Sequence, residues 1–515
     1  MARRGNRDRA ALGGLLVAAI IAAGCGARLN STDLANARAR GAGGQVTAGG
    51  STDTGAATGG GAAGGSSPTG SGGGAAGGTA NSGASGSATG NSATPGGTTA
   101  AGGKTAANSP GQATPGAAAQ APGGANPFGG APPGGNGGAT DVGVTATEID
   151  LGNVSTVGGP VPGLFAGAYD GALAYARYVN SQGGIYGRQL VIKFKDDQLN
   201  AAQNKAATDA LLSQVLGFVG SFSLESSAGS PDIESAGAPN VSYAIDQQTQ
   251  HEKTNFSPTP LGSGWPVGPL TYFKTKFGPA VTSKMAVYVE DNPTAISAAA
   301  QEQAALNHLG YVTVYSRKIE ATETNFQGDV KSMQDKGVKG LILQGEVSTM
   351  ARMASAMHDA SFTIPFADWG APAYDPGFIS LANGGAEGAV LNQQLAMYAG
   401  EDAAKIPEVG VFDTWMKRVD PSQNIDFFAA QSWAAGALMT QALIKAGPHV
   451  TRKAVLAALS TIHSFNDNGM LAPDDPAGKV SPTCWIAIDV KGGKFVRDPA
   501  NPAGFRCNDG GYYQP

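Results

Sequence analysis

The residues best suited to chemistry in this chain are short runs of hydroxyls and single carboxylates, each set just after an apolar stretch. Gly220-Ser221-Phe222-Ser223-Leu224-Glu225-Ser226-Ser227 follows the apolar run Leu216 to Gly220 and opens a helix predicted from about Glu225 to Ala236. Serine hydroxyls and free backbone N–H groups at such a helix start attract an anionic or carbonyl oxygen. A plainer task fits the same residues, with Ser223 capping the helix and Glu225 or Ser226 supporting it. Ser242-Tyr243-Ala244-Ile245-Asp246 follows the next apolar stretch. There a carbonyl at Ala244 and the carboxylate of Asp246 suit an ammonium or another donor; a salt-bridged surface Asp is the alternative. All of this is recognition chemistry, able to hold a solute without breaking a bond.

Signatures of bond-breaking chemistry are missing from the same region. It contains no G-x-S-x-G, no H-E-x-x-H and no C-x-x-C. The 5 His (His251, His308, His358, His449 and His463) are scattered without metal-ligand spacing. The pairs Asp196-Asp197 and Asp474-Asp475 fall at turns or strand ends and read as solvated turn residues. Gly97 to Thr105 resembles a phosphate loop, but its spacing is one residue too long and no strand precedes it. The formal net charge of -5 excludes a basic face for nucleic acid. The expectation is a binding protein with no cofactor and no metal.

The elements that must position these groups start at Glu148. Ile149, Leu151 and Val154 begin a short strand, broken by Gly158-Gly159-Pro160. An amphipathic helix follows from about Gly163 to Asn180, with Ala168, Ala172, Tyr175 and Val179 at spacings of three and four. Gly183-Gly184 stop it, and Leu190, Ile192 and Phe194 alternate as a second strand. Two strands joined through a helix lie parallel, and ligands sit at the carboxyl ends of such strands. Strand and helix keep alternating: Asn240 to Ala244, Met285 to Val289, Val312 to Tyr315, Leu341 to Leu343, Ile364 to Phe366, Ala386 to Leu391 and Cys484 to Ile488 read as strands, and Phe427 to Ala446 as a long helix. The pattern alone predicts α/β with parallel sheets.

The layout, with N-S-Q-G-G-I-Y-G-R-Q-L-V-I-K from Asn180, closely resembles the start of the leucine/isoleucine/valine-binding protein family, the extracytoplasmic solute receptors of ABC importers. The resemblance covers roughly Val144 to Tyr513 and is strongest in its first quarter. It implies two doubly wound parallel-sheet lobes joined by a three-segment hinge, with lobe 1 at about 148–258 and 392–480 and lobe 2 at about 259–391 and 481–515. It also implies a small polar solute in the cleft, an amino acid, amide or related compound, and ABC permease subunits as partners. On lobe 1 the solute would meet Phe165, Ser223, Ser226, Ala244 and Asp246. On lobe 2 the matching positions are Glu346, Asp368 and Trp369, with Trp369 as an aromatic lid. An aromatic residue expected near Ala295 is absent, and Glu346 replaces another. Asp246, Glu346 and Asp368 together predict a cleft acidic enough for a larger or more cationic solute. The runner-up is the same clamp used as a sensor, signalling to a partner without import.

The N-terminus says where such a protein works. Arg3, Arg4, Arg7 and Arg9 precede an uninterrupted apolar run from Ala10 to Ala23, too short for a stable span and suited to a secretory signal. Ile21-Ala22-Ala23-Gly24-Cys25 resembles a bacterial lipobox, which predicts a signal peptide over 1–24, lipidation of Cys25 and anchoring to the outer face of the cell membrane. From roughly Gly41 to Thr140 the chain is Gly, Ala, Ser, Thr and Pro almost throughout, and residues 25–140 are predicted to be a disordered tether. Its roughly 100 flexible residues would span about 50–60 Å. Of the 3 Cys, using Cys25 for lipid leaves Cys484 and Cys507 as a disulfide pair, or as two free buried thiols. Residues 141–515 form the solute-binding part, long enough to divide into two lobes. Growth on labelled palmitate checks the anchor: the wild type is expected to take up label and Cys25→Ala to take up none. An unlabelled wild type would sink the lipid anchor.

Overall fold

The computed structural model describes residues 126–515 except 423, 424, 502, 503 and 508. Cys25, the signal segment, the Gly97–Thr105 run and residues 26–125 lie outside the described residues.

The first sheet is wholly parallel. Its strands are β1 (Glu148–Ser155), β2 (Gln189–Asp196), β3 (Gly217–Val219) and β4 (Asn240–Val241), in the order β2-β1-β3-β4. β1 and β2 pair in register from Glu148 with Gln189 to Ser155 with Asp196. The helix between them spans Ala166–Ser181 and buries Ala168, Ala172, Tyr175 and Val179, the face that the spacing predicts. The long helix Phe427–Ala446 lies against it so closely that a Cβ at Gly171 would stand 2.2 Å from the carbonyl oxygen of Ala429. Only glycine allows that approach.

The short strand β5 (Trp265–Pro266) leads toward a second sheet. Its parallel part holds β6 (Met285–Glu290), β7 (Thr313–Ile319), β8 (Gly340–Gln344), β9 (Phe366–Asp368) and β10 (Val390–Gln393). After Phe427–Ala446 returns to the first sheet, the chain crosses again to form β11 (Ile486–Lys491) and β12 (Lys494–Arg497), giving the order β12-β11-β10-β9-β8-β6-β7. β11 runs antiparallel to β10, and β12 antiparallel to β11. The all-parallel expectation therefore fails at this edge: the turn at Gly492-Gly493, both at positive φ, makes β11 and β12 a hairpin with no crossover helix.

The chain thus forms two α/β lobes and passes between them three times, before β6, after β10 and before β11. The second and third passages run side by side: Ala396 donates to the carbonyl of Met470 (2.8 Å) and Ala472 to that of Gln394 (2.8 Å). Cys484 and Cys507 are joined, with Cα atoms 4.0 Å apart. The final strand, β13 (Tyr512–Tyr513), pairs antiparallel with β5. Among the described residues no helix is long and apolar enough to cross a membrane.

Residues 126–140, expected to end the tether, are bound to lobe 1. The cause is Arg188, which is fully buried and donates to the carbonyls of Thr145 (2.7 Å), Pro448 (2.8 Å), Gly138 (3.0 Å) and Asn136. Asn126 and Asn136 add side-chain bonds to the carbonyls of Gly184 (2.8 Å) and Tyr186 (3.1 Å). A guanidinium with five donors satisfies backbone that no helix or sheet could. Arg188→Ala is expected to lower the free energy of unfolding by about 2–4 kcal/mol, because it strands several buried carbonyls. Urea titration measures this; a loss below about 0.5 kcal/mol would mean that water replaces the guanidinium.

Candidate functional site

At the carboxyl edge of the first sheet, the loops after β1, β2 and β3 are tied together by Asp197. Its carboxylate is fully buried and accepts from Thr156 Oγ1 (2.6 Å), Asn204 Nδ2 (2.9 Å), the Leu199 amide (3.1 Å) and Ser223 Oγ. Its neighbour Asp196 accepts from the amides of Val157 (3.0 Å) and Gly158 (2.9 Å). The pair read from sequence as solvated turn residues is instead the frame of this edge. Carboxylates accept several bonds at once, so a turn offering amides and hydroxyls from three loops draws one inward. Asn153 completes the frame by donating to the carbonyls of Val219 (3.0 Å) and Gly220 (2.8 Å). Gly220, at φ 63°, leaves no room for a side chain, since a Cβ would meet that of Ser432 at 2.8 Å.

This frame carries five aromatic rings. Phe165, Phe222 and Phe428 stand with ring centroids 4.7 Å apart in all three pairings. Tyr243 stacks on Phe222 at 5.4 Å, and Phe427 meets Tyr243 edge-on at 5.6 Å. Tyr243 and Phe428 are half-buried, and burial pushes the Tyr243 phenol up to about 12. Sequence reasoning singled out only Phe165 from this group. Phe222 and Tyr243 lie in the two loops that the resemblance marked, and Phe427 and Phe428 open the long helix. For Phe222 and Tyr243 the position after a strand end was the available signal; Phe427 and Phe428 follow a helix and carried none.

Each other expected lobe 1 residue has a local place. Ser223 is 2% exposed and accepts from the Glu225 amide (2.9 Å) while donating to Asp197; it braces the turn before helix Ser226–Ser235, whose N-cap is Glu225. Ser226 donates to the Ser223 carbonyl (2.7 Å) and to Asp246 (3.4 Å). Ala244 is buried. Asp246 caps helix Gln247–His251, accepting from the Thr249 amide and hydroxyl, both at 2.8 Å.

On the second lobe, Glu346 caps helix Val347–Asp359 and accepts from the amides of Ser348 and Thr349, both at 2.8 Å. Asp368, 3% exposed, accepts from the Gly370 amide (3.0 Å) and Asn392 Nδ2 (3.1 Å), and burial pushes it up to about 7. Trp369 is 1% exposed and packs on Phe378 at 5.6 Å, so here it belongs to the core of lobe 2 and not to a lid. Burial, with Asp368 beside it, pushes Glu302 up to about 8. Of the three carboxylates expected to make the cleft acidic, Asp246 and Glu346 serve helix N-termini and Asp368 is buried.

Two further carboxyls, one on each lobe, feel one another's charge. Asp426 caps Phe427–Ala446 through the Ala429 amide (2.7 Å) and sits against Gly167, where a Cβ would stand 2.1 Å from its Oδ1. Burial, then the charges of Asp375 and Asp170, push Asp426 up to about 7. Asp375, from lobe 2, caps helix Pro376–Leu381 and is pushed up to about 6 by burial. Among the described residues no cluster of three or more His, Cys, Asp or Glu could hold a metal ion. The assembled edges can bind, through aromatic faces, hydroxyls and helix N-termini, and they present no nucleophile held by a base.

Residues 148–494 match the family described as periplasmic binding protein. The chain belongs to that family. It is a family of solute-binding proteins, not of enzymes. No curated protein matches the chain. Among solved structures, the fatty acid ABC transporter substrate-binding protein from Thermomonospora curvata is 18% identical, with TM-score 0.60, covering 72% of this chain and 95% of its own. A branched-chain amino acid ABC transporter from Thermus thermophilus with bound valine is 16% identical, with TM-score 0.60, covering 68% and 95%. A solute-binding protein from R. palustris in complex with 4-hydroxybenzoate is 15% identical, with TM-score 0.58, covering 72% and 98%. At these identities the likeness establishes the two-lobed periplasmic-binding-protein fold.

The raised Asp426 carboxyl has a measurable consequence. An unfolded chain releases this proton near pH 4, whereas the folded chain keeps it to about 7. Between those values the folded state binds more protons, so this group's contribution to stability falls as pH rises and levels off above about 7. Asp426→Asn keeps a cap and lacks the proton. Its unfolding free energy relative to wild type is expected to rise between pH 5 and pH 7 and stay flat above pH 8, as read from urea midpoints. A difference constant across the series would show a carboxylate ionised throughout.

Proposed function

We propose that this protein is the extracytoplasmic solute-binding component of an ABC importer, exported and held to the outer face of the cell membrane by a lipid on Cys25. The tether carries the two lobes to ABC permease subunits. A small solute enters between the two sheet edges, and contacts made only in the closed form shift the population toward it. Two α/β lobes connected by three passages of chain, in a member of this family, support the clamp.

The solute is an amino acid, amide or related compound bearing an apolar or aromatic portion, and the five-ring edge of lobe 1 is the observation that carries this. Ring stacking there offers about 0.5–1.5 kcal/mol per aromatic contact. A cationic amine would instead have to draw Asp246 or Glu346 away from its helix, at a cost of about 1 kcal/mol for each lost cap. The valine and 4-hydroxybenzoate of the two ligand-bound relatives each join a carboxylate to an apolar body. Helix N-termini beside Ser226 and Ser227 suit such a carboxylate.

Thermal shift against leucine, valine, 4-hydroxybenzoate, octanoate and putrescine tests the reading. An apolar carboxylate is expected to stabilise the protein, by about 2.7 kcal/mol at a hundred times its Kd. Phe428→Ala is expected to weaken that solute by about tenfold, the loss of roughly one ring contact. A response confined to putrescine would overturn the apolar reading. Uptake of the same solute by cells with and without the gene distinguishes import from sensing.

A further inference from the structure

The family match ends at residue 494, and the chain continues for a stretch that does not stay on the second sheet. Trp485 and Arg506 exchange two backbone hydrogen bonds, at 2.9 and 2.8 Å, and the Cys484–Cys507 bond fixes the tail at that point. Beyond it the tail lies along the first passage and still touches lobe 2, where the Tyr513 ring stacks on His308 at 4.2 Å. Val267 donates to the carbonyl of Gly511 (3.1 Å), and β13 pairs Tyr512 with Pro266 and Tyr513 with Trp265. The seat is fitted: a Cβ at Gly264 would stand 2.0 Å from the carbonyl oxygen of Tyr513, and one at Gly262 would stand 2.6 Å from the Tyr512 ring.

Tyr512 is the meeting point of all three passages. Its backbone pairs with the first, at Pro266. Its hydroxyl accepts from Gln394 Nε2 of the second (3.2 Å) and donates to the carbonyl of Pro482 in the third (3.2 Å). Gln394 closes the triangle by donating to the same carbonyl at 2.8 Å. Hinge motion is absorbed by torsions in a few connecting residues. A segment bonded to all three connections must either move with each of them or hold them back. Because a covalent bond lies only a few residues upstream, its docking is intramolecular and strongly favoured.

We infer that residues 509–513 are a strap across the hinge, and that through Tyr512 it sets how readily the two lobes open and close, and so regulates the solute site. This rests on the clamp reading given above.

Amide hydrogen exchange on the full chain, with no solute added, tests it using Tyr512→Phe and the paired Cys484→Ser, Cys507→Ser variant. Exchange at Val267, Ala396 and Ala472 is expected to rise together, by about tenfold in the paired variant and by less in Tyr512→Phe, while β1 and β6 keep their protection. Unchanged exchange at the three passages in both variants would overturn the strap. So would an equal rise in β1 and β6, which would make the tail a general stabiliser of the fold. If the paired variant does not fold, Tyr512→Phe decides alone, since it removes only a hydroxyl. The readout needs no solute, so the two readings fail separately. Coupled exchange in a chain that answers no compound would keep the strap and lose the solute assignment, whereas unchanged exchange in a chain that binds one would lose only the strap.

Discussion

Burying the carboxylate of Asp197 is the constraint on which the carboxyl edge of lobe 1 depends. A charged group taken fully out of water is tolerated only when its lone pairs are filled by donors. Here the donors come from three separate loops, so satisfying one side chain also fixes the spacing of the chain after β1, β2 and β3. Asp196 does the same for the amides of Val157 and Gly158. These loops then have one arrangement, and Phe165, Phe222 and Tyr243 ride on it as neighbours. The aromatic edge is thus a consequence of a polar frame beneath it.

The two lobes meet with unlike chemistry. Lobe 1 offers rings and hydroxyls, while lobe 2 holds the buried carboxyls of Asp368 and Glu302, both raised by burial. Asp426 and Asp375 bring carboxyls from opposite lobes near one another, and their raised values record the cost of burial and, for Asp426, of like charges side by side. The connections between the lobes carry a further constraint, because the tail bonds to the first passage through the Gly511 carbonyl and to the others through the Tyr512 hydroxyl. The tail that makes these bonds lies outside the matched family region.

The unit from Glu148 to Asp196 was legible in detail. Strand alternation, the buried face at Ala168, Ala172, Tyr175 and Val179, and the stop at Gly183-Gly184 all follow from local sterics and from spacing along the chain. Cysteine number pointed to Cys484 and Cys507 for a similar reason, since it is a matter of counting. The polar residues were harder. Asp246 and Glu346 look the same in sequence whether they cap a helix or face a ligand, because both tasks place a carboxylate just before a helix.

What the sequence determined by itself was therefore periodic or countable: the alternation of strand and helix, the family, and the cysteine pair. Only the tertiary structure decided that Asp197 lies inside, that Trp369 fills the core of lobe 2, that residues 126–140 dock on Arg188, that β11 and β12 turn antiparallel, and that three rings from separate loops and two from the long helix share one edge. The physical reason is common to all of these. A side chain's donors, neighbours and exposure come from segments tens to hundreds of residues away, whereas strand and helix periods are set within a few residues of each position.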